Sequence, residues 1–354
     1  MEKNKEKLIL SVDTTSLNTS CALTRGLDVI AVKRRCEFFP KAWNDHLDFL
    51  PSQHQKFLIS DIFYLLNRKK IDLSQIDLIA VSSKSGVRNC LLVGKTIAHA
   101  ISVICRKPLF ETDHILAHLY SCFIGRKYED MKFPILVFSA SGSHNEFALI
   151  ENSKHCRILF DDIPPLWEDN RDVLSLGIGN IFSRIKNQLG MADRRPGFRM
   201  TMGTLMKMMS EGNPHKFDFK KFYQGEILDL NFFNFLKSVF SFYDKNVKNT
   251  KNQKLIKDYA ASIQESLTEI LAEKILYLAK EHKAKEIHIT GGISCNNYLE
   301  NKLKNKIKQC RDEIILRYPL RMVYRLDNAA MIGVLAYLQK RYGIKFTNFK
   351  PNVT

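Results

Sequence analysis

Leu8-Ile-Leu-Ser-Val-Asp-Thr-Thr-Ser16 decides the fold. Its first five residues form a buried strand, Asp13-Thr-Thr-Ser16 makes a polar turn, and further strands are expected near 20–24 and 28–33. The same opening returns about 125 residues later. There Pro134-Ile-Leu-Val-Phe-Ser-Ala140 runs into the small-residue turn Ser141-Gly-Ser143, and His144-Asn-Glu-Phe-Ala-Leu-Ile-Glu151 follows as the return strand. Two such openings suggest an internal duplication, with one α/β unit per lobe.

Between the openings the pattern gives a helix over 53–67, a strand at Ile76-Asp-Leu-Ile-Ala-Val-Ser82, a turn at Ser85-Gly86 and an apolar helix from Leu91 to Cys105. Beyond them come a helix around 179–189, a long helix over 255–283, the strand Glu286-Ile-His-Ile-Thr290, the turn Gly291-Gly292 and a helix from Asn296. A strand ending in Gly-Gly before a helix lets backbone N–H groups approach an anion, though a plain tight turn uses the same residues. The stretch 160–250 carries weaker signals. Its methionine run, Met200 to Met209, reads as adaptable core rather than a cofactor box.

The 354 residues, 45% of them hydrophobic, suffice for a large core. No apolar run approaches the length of a membrane span, and no signal-peptide core precedes Leu8, so the expected location is the cytoplasm. Eight cysteines without a Cys-x-x-Cys pair indicate neither a disulfide framework nor a zinc ribbon. A formal net charge of +17 makes nucleic acid a candidate partner. Part of that charge lies in Lys245-Asn-Val-Lys-Asn-Thr-Lys-Asn-Gln-Lys254, which reads rather as a solvated loop than as a binding patch.

Chemistry concentrates at Asp113-His-Ile-Leu-Ala-His-Leu-Tyr120. On a helix, a spacing of four places His114 and His118 on one face, where two imidazoles can share a metal ion. The same spacing also describes a helix that merely carries two half-buried histidines. Because Ile115-Leu-Ala117 fills the gap, the pair lacks the glutamate base of a zinc protease.

Taken in order, Val12-Asp-Thr-Thr15, Ser85-Gly86 before Leu92-Val-Gly94, His114-x-x-x-His118, Ser141-Gly-Ser-His-Asn145, Ala260-Ala-Ser-Ile-Gln-Glu265, Gly291-Gly-Ile-Ser-Cys-Asn296 and Leu326-Asp-Asn-Ala-Ala-Met331 form one pattern. It resembles the universal tRNA threonylcarbamoyladenosine transferase family, once labelled O-sialoglycoprotein endopeptidases, of the actin and heat-shock-chaperone ATPase superfamily. The resemblance runs from about residue 8 to 340 and is weakest over 155–250. It implies a two-lobed, ribonuclease H-like α/β fold with duplicated lobes, divided as 1–133, 134–320 and a segment 321–354 returning to the first lobe.

The resemblance further implies one iron or zinc ion on His114, His118 and Asp327. It implies an adenylate lined by Ser139, Ala140, Ser141, Gly142, Ser143, Ser183, Gly197, Gly291, Gly292 and Asn296. The implied reaction moves threonylcarbamoyl from its AMP ester to the amine of the adenosine beside the tRNA anticodon. The implied partners are tRNA, a paralogous subunit and a small ATPase.

This chain departs from the family pattern on the nucleotide side. Ser143 stands for a glycine, Asn180 for a glutamate, Ser183 for the ribose-binding aspartate, Phe198 for a glycine, and Leu17-Asn18 for acidic residues. Losing a charge-assisted contact of that kind costs about 1.5–3 kcal/mol. Arg194, Arg195 and Arg199 are candidate phosphate or tRNA contacts in exchange. Two other readings follow: a non-catalytic paralogue acting as a scaffold, and a superfamily ATPase or sugar kinase, for which Asp13 would be the sole acidic residue of the first turn.

Overall fold

The computed structural model of the protein describes residues 6–15, 17–36, 44–141, 144–162, 177–191, 202–310 and 313–348, without the side chains of 44–48, 162 and 202. The opening does fold as a meander. Strands β1 (Leu8–Asp13), β2 (Thr19–Arg25) and β3 (Asp28–Arg35) pair antiparallel, with Val12 opposite Cys21 and Cys21 opposite Lys33. Helix α1 (Asn44–Lys69) follows, then β4 (Leu78–Lys84), α2 (Arg88–Cys105) and β5 (Leu109–Asp113). Both β4 and β5 add in parallel, giving a five-stranded sheet in the order β3-β2-β1-β4-β5.

The second half repeats this plan. After the short helix α3 (His114–Leu119), strands β6 (Ile135–Ala140), β7 (Asn145–Ile150) and β8 (His155–Asp162) form an antiparallel meander. Helices α4 (Ile178–Gln188), α5 (Met202–Ser210), α6 (Phe233–Asn246) and α7 (Gln253–Glu281) lead to β9 (Glu286–Thr290), α8 (Asn297–Cys310) and β10 (Ile315–Arg317). Strand β9 pairs parallel to β6, and β10 parallel to β9. The order β8-β7-β6-β9-β10 therefore matches β3-β2-β1-β4-β5 strand for strand. The expected duplication is present, in the ribonuclease H-like α/β architecture that the sequence implied.

The chain then forms α9 (Met322–Arg325), α10 (Ala329–Tyr342) and β11 (Lys345–Thr347). Helix α10 packs on β1, β2 and β3 of the first sheet, whereas β11 pairs with β8 of the second. This last segment thus serves both sheets.

Side-chain alternation explains the layering, because successive residues of a strand face opposite sides. Leu8, Leu10 and Val12 face Leu58, Ile62, Leu65 and Ala98 of α1 and α2. Ile9 and Ala80 point the other way, into a core shared with Leu116, Ile332, Leu335, Val137 and Ala148. That core lies between the sheets and holds α3 and α10. Phe138, Phe147, Ile287 and Ile289 face a third core built on α4 to α8. At Gly333 a Cβ would come 2.7 Å from Thr24 Oγ1 and 2.9 Å from Ser11 Oγ, so only glycine lets α10 lie this close to the sheet.

Helix α1 starts nine residues before the expected 53, carrying Pro51 inside it. A proline removes one helical hydrogen bond, but Leu50, Leu58, Ile62, Leu65 and Leu66 are all buried, and that packing outweighs the loss. The methionine run is core where it is described: Leu205 and Met209 are buried, with Met206 and Met208 packed beside them. The stretch 245–254 is largely exposed apart from Val247, which fits the solvated-loop reading. All eight cysteines are free thiols. Among the described residues no helix is long and apolar enough to cross a membrane.

Candidate metal centre

Asp113 ends β5 and caps α3. Its Oδ1 accepts from the backbone N–H of Ile115 at 2.8 Å and of Leu116 at 3.1 Å, and its Oδ2 accepts from Ser85 Oγ at 2.7 Å. The cap fixes where the helix starts, so His114 takes its first position and His118 lies one turn on. Both are buried, with ring centroids 4.9 Å apart and planes nearly perpendicular.

Asp327 arrives from the far end of the chain. Asn328 caps α10, its Oδ1 accepting from Ala330 N at 3.0 Å and Met331 N at 3.3 Å. Ser20 Oγ accepts from Ala329 N at 2.9 Å, and Ser11 Oγ donates to Ala329 O at 2.6 Å. These bonds staple the start of α10 to β1 and β2, and Arg34 Nε donates to Asp327 O at 3.0 Å. The carboxylate so placed has Oδ1 at 3.2 Å from His118 Nε2 and 3.7 Å from His114 Nε2.

One ligand atom from each of His114, His118 and Asp327 lies within 4.8 Å of the others. An ion bonded at about 2.0–2.2 Å holds its ligand atoms roughly 3–4.4 Å apart, so small adjustments close the group on a metal. Two imidazole nitrogens and one carboxylate oxygen suit iron or zinc and leave coordination positions open. Behind this set, His114 Nδ1 is 3.2 Å from the Asp13 carboxylate and 3.1 Å from Thr15 Oγ1. A carboxylate there fixes the ring so that Nε2 faces the ion. His118 Nδ1 is buried and has no hydrogen-bond partner.

The charges agree with the geometry. Burial opposes a charge on His114, yet the carboxylates of Asp13 and Asp327 hold its pKa well above the usual imidazole value. Burial likewise opposes charge on Asp327, and hydrogen bonds from His114 and His118 hold its carboxyl well below the usual range. Without a metal the cluster is thus held by charge, an ionised Asp327 facing imidazoles, with a proton on His114 that an incoming cation would have to displace.

The described residues among those expected to line an adenylate fall on three segments, the end of β6, α4 and the turn after β9. Ser139 and Ala140 end β6, and Ser141 N donates to His144 O at 2.9 Å to close the turn into β7. Helix α4 docks its N-terminus on that turn, with Gly179 N donating to Ser141 O at 3.0 Å and Ile178 N to Asn145 Oδ1 at 3.1 Å. Ser183, on the same helix, is half-buried and donates to Gly179 O at 3.1 Å. Gly291 has φ +72°, and a Cβ there would meet Ala140 O at 2.5 Å, so glycine is required where β9 leaves the sheet. Gly292 opens the following 3-10 turn, which α4 and β6 both contact. Asn296 accepts from Tyr298 N at 2.9 Å and Leu299 N at 3.2 Å as the start of α8, while its Nδ2 stays buried and unpartnered. Gly142, Ser143, Gly197, Phe198 and the arginines 194, 195 and 199 lie outside the described residues.

The sequence reading missed several contributors. Asp13 was visible only as a candidate phosphate-side acid, and its hydrogen bond to His114 joins positions 101 apart. Asn328 was quoted as part of a motif without its capping role. His144 went unassigned, although it follows the small-residue turn and its ring lies 6.1 Å from that of His118.

Comparison with known proteins identifies the family of the chain. The sequence model of the tRNA N6-adenosine threonylcarbamoyltransferase family matches residues 50–334. A protein of that name from Fervidobacterium nodosum is 29% identical over 332 residues, covering 92% of this chain and 91% of the relative. One from Endomicrobium trichonymphae is 31% identical over 291 residues, covering 79% and 76%. Among solved structures, HypF of T. kodakarensis superposes with a TM-score of 0.61 at 13% identity, over 97% of this chain and 49% of HypF, a likeness of fold. The chain belongs to the tRNA N6-adenosine threonylcarbamoyltransferase family.

Proposed function

We propose that the chain transfers the threonylcarbamoyl group from threonylcarbamoyl-AMP to the exocyclic amine of the adenosine beside the tRNA anticodon, using an iron or zinc ion held by His114, His118 and Asp327. The observation that carries this reading is the convergence of those three side chains from two distant segments, with ligand atoms within 4.8 Å. When bound, a divalent ion supplies Lewis acidity that polarises the carbamoyl carbonyl.

The chain's own residues do the remaining work. Asp13 and Thr15 orient His114, Asn328 and Arg34 hold the Asp327 loop, and Ala140 at the end of β6 meets Gly291 to give part of a wall for the adenylate. The buried Nδ2 of Asn296 is a donor available to that ligand. A net charge of +17 suits a polyanionic tRNA. The paralogous subunit and the small ATPase are the proposed partners. A scaffold lacking catalysis has no use for a ligand triad with its supporting hydrogen bonds, which favours the enzyme. Mass spectrometry of nucleosides from tRNA incubated with the protein, its partners and threonylcarbamoyl-AMP tests the proposal. Threonylcarbamoyladenosine is expected, and its absence rejects the reading.

A further inference from the structure

The turn between β6 and β7 presents a histidine with half of its hydrogen-bonding capacity unused. His144 Nδ1 is 2.8 Å from Ser141 Oγ, and the same turn is closed by Ser141 N donating to His144 O. The ring is therefore held by its own turn, which α4 buttresses through Asn145 and Ser141. His144 is 5% exposed, and its Nε2 is buried without a partner. A buried polar atom left unpaired costs about 1–3 kcal/mol, so one kept beside a reactive cluster points to a ligand that satisfies it.

Its position says which ligand. The His144 ring centroid is 6.1 Å from that of His118, against 4.9 Å between His114 and His118. His144 also falls outside the set whose ligand atoms lie within 4.8 Å of one another. It stands just beyond the cluster, near enough to reach a group seated there. Nδ1 is taken up by Ser141 Oγ, which leaves Nε2 as the ring atom free to meet such a group. In the tautomer whose Nδ1 accepts from the Ser141 hydroxyl, the ring hydrogen sits on Nε2 and is the donor the proposal uses.

We propose that His144 is a catalytic residue whose Nε2–H donates a hydrogen bond to the carbonyl oxygen of the threonylcarbamoyl group during transfer. This rests on the transfer reading given above. As the adenosine amine attacks, a C–N bond forms and the carbonyl oxygen takes up negative charge. The C–O bond to phosphate then breaks, AMP leaves with its electron pair, and the amine proton passes to solvent. A fixed donor at that oxygen acts when the charge develops, and removing one such donor typically slows a reaction by about 10²–10³-fold.

The test compares wild type, His144→Ala and His144→Gln in two measurements: Co²⁺ titration of the metal-free protein, and single-turnover transfer to tRNA with partners present. Glutamine can place an amide N–H near the position of imidazole Nε2 but cannot serve as a base. The expected result is Co²⁺ affinity unchanged in both variants, a loss of about 10²–10³-fold in transfer for His144→Ala, and substantial recovery in His144→Gln. Loss of Co²⁺ affinity in both would make His144 a ligand and overturn the proposal. Equal inactivity of both variants with Co²⁺ affinity intact would make the ring a proton acceptor, and full activity of His144→Ala would leave it no role. A wild type that transfers nothing would instead reject the transfer reading, and this inference with it.

Discussion

Asp13, the last residue of β1, and His114, the first residue of α3, meet with Asp13 Oδ1 3.2 Å from His114 Nδ1. The contact ties the first strand of the protein to its candidate metal centre. Ser82 Oγ donates to the same Asp13 oxygen at 2.8 Å, so the carboxylate cannot swing away. Partners of this kind are commonly worth 10–100-fold in metal affinity. Asp13→Asn should therefore weaken Zn²⁺ binding by about 10–100-fold, with a thermal melt close to wild type. Unchanged Zn²⁺ affinity would mean that Asp13 does not orient the ligand.

Glu146 supplies a pH signature. It is fully buried in β7, neither carboxyl oxygen has a hydrogen-bond partner, and register places it opposite Ser139 and Asp161. Burial, and then the nearby Asp113 and Asp161, push its pKa well above 4.5. The folded protein thus keeps a proton that the unfolded chain releases. Its contribution to stability is fully present below about pH 4.5 and is lost as pH rises toward the folded value, at up to about 1.4 kcal/mol per unit. Glu146→Gln should match wild type in melting temperature near pH 4 and exceed it increasingly toward pH 7.5. Parallel melting curves across that range would refute the assignment.

Ser183 tests the nucleotide side. Its hydroxyl turns back to Gly179 O, on a helix whose N-terminus docks against Ser141 and Asn145. If this face meets the ribose, Ser183→Asp restores a charge-assisted acceptor and should tighten threonylcarbamoyl-AMP binding by roughly tenfold or more. Calorimetry on both proteins reads this directly. Equal affinities would place the ribose elsewhere.

Gly291 lies where the end of β6 meets the turn after β9. Its left-handed φ of +72° and the 2.5 Å approach of a Cβ to Ala140 O both forbid a side chain. Gly291→Ala should cost more than about 1 kcal/mol in urea denaturation, because strain and steric displacement add. A loss within error would show that the turn relaxes freely.

Much of this arrangement was legible in the sequence, for reasons of periodicity and spacing. Apolar runs bounded by small polar turns located β1, β6 and β9, and the repeat of one opening exposed the duplication. The spacing of four put His114 and His118 together because Asp113 fixes the start of the helix. What stayed hidden depends on contacts between distant residues. Strand β5 is only five residues long, and β8 places charged Arg157 beside apolar Ile158, so neither stands out before its partner strands are known. The early start of α1 is a tertiary effect, since Pro51 reads locally as a break. The link from Asp13 to His114 and the unspent Nε2 of His144 are properties of packing, which no local pattern records.

The most direct test of the central claim is transfer of labelled threonylcarbamoyl to unmodified tRNA by one preparation, assayed as purified, after chelator treatment, and after adding back Fe²⁺ or Zn²⁺, with metal content measured each time. The account predicts one ion per chain, loss of transfer on stripping, recovery on reloading, and neither ion nor transfer in Asp327→Ala. Full transfer by the metal-free protein would contradict it.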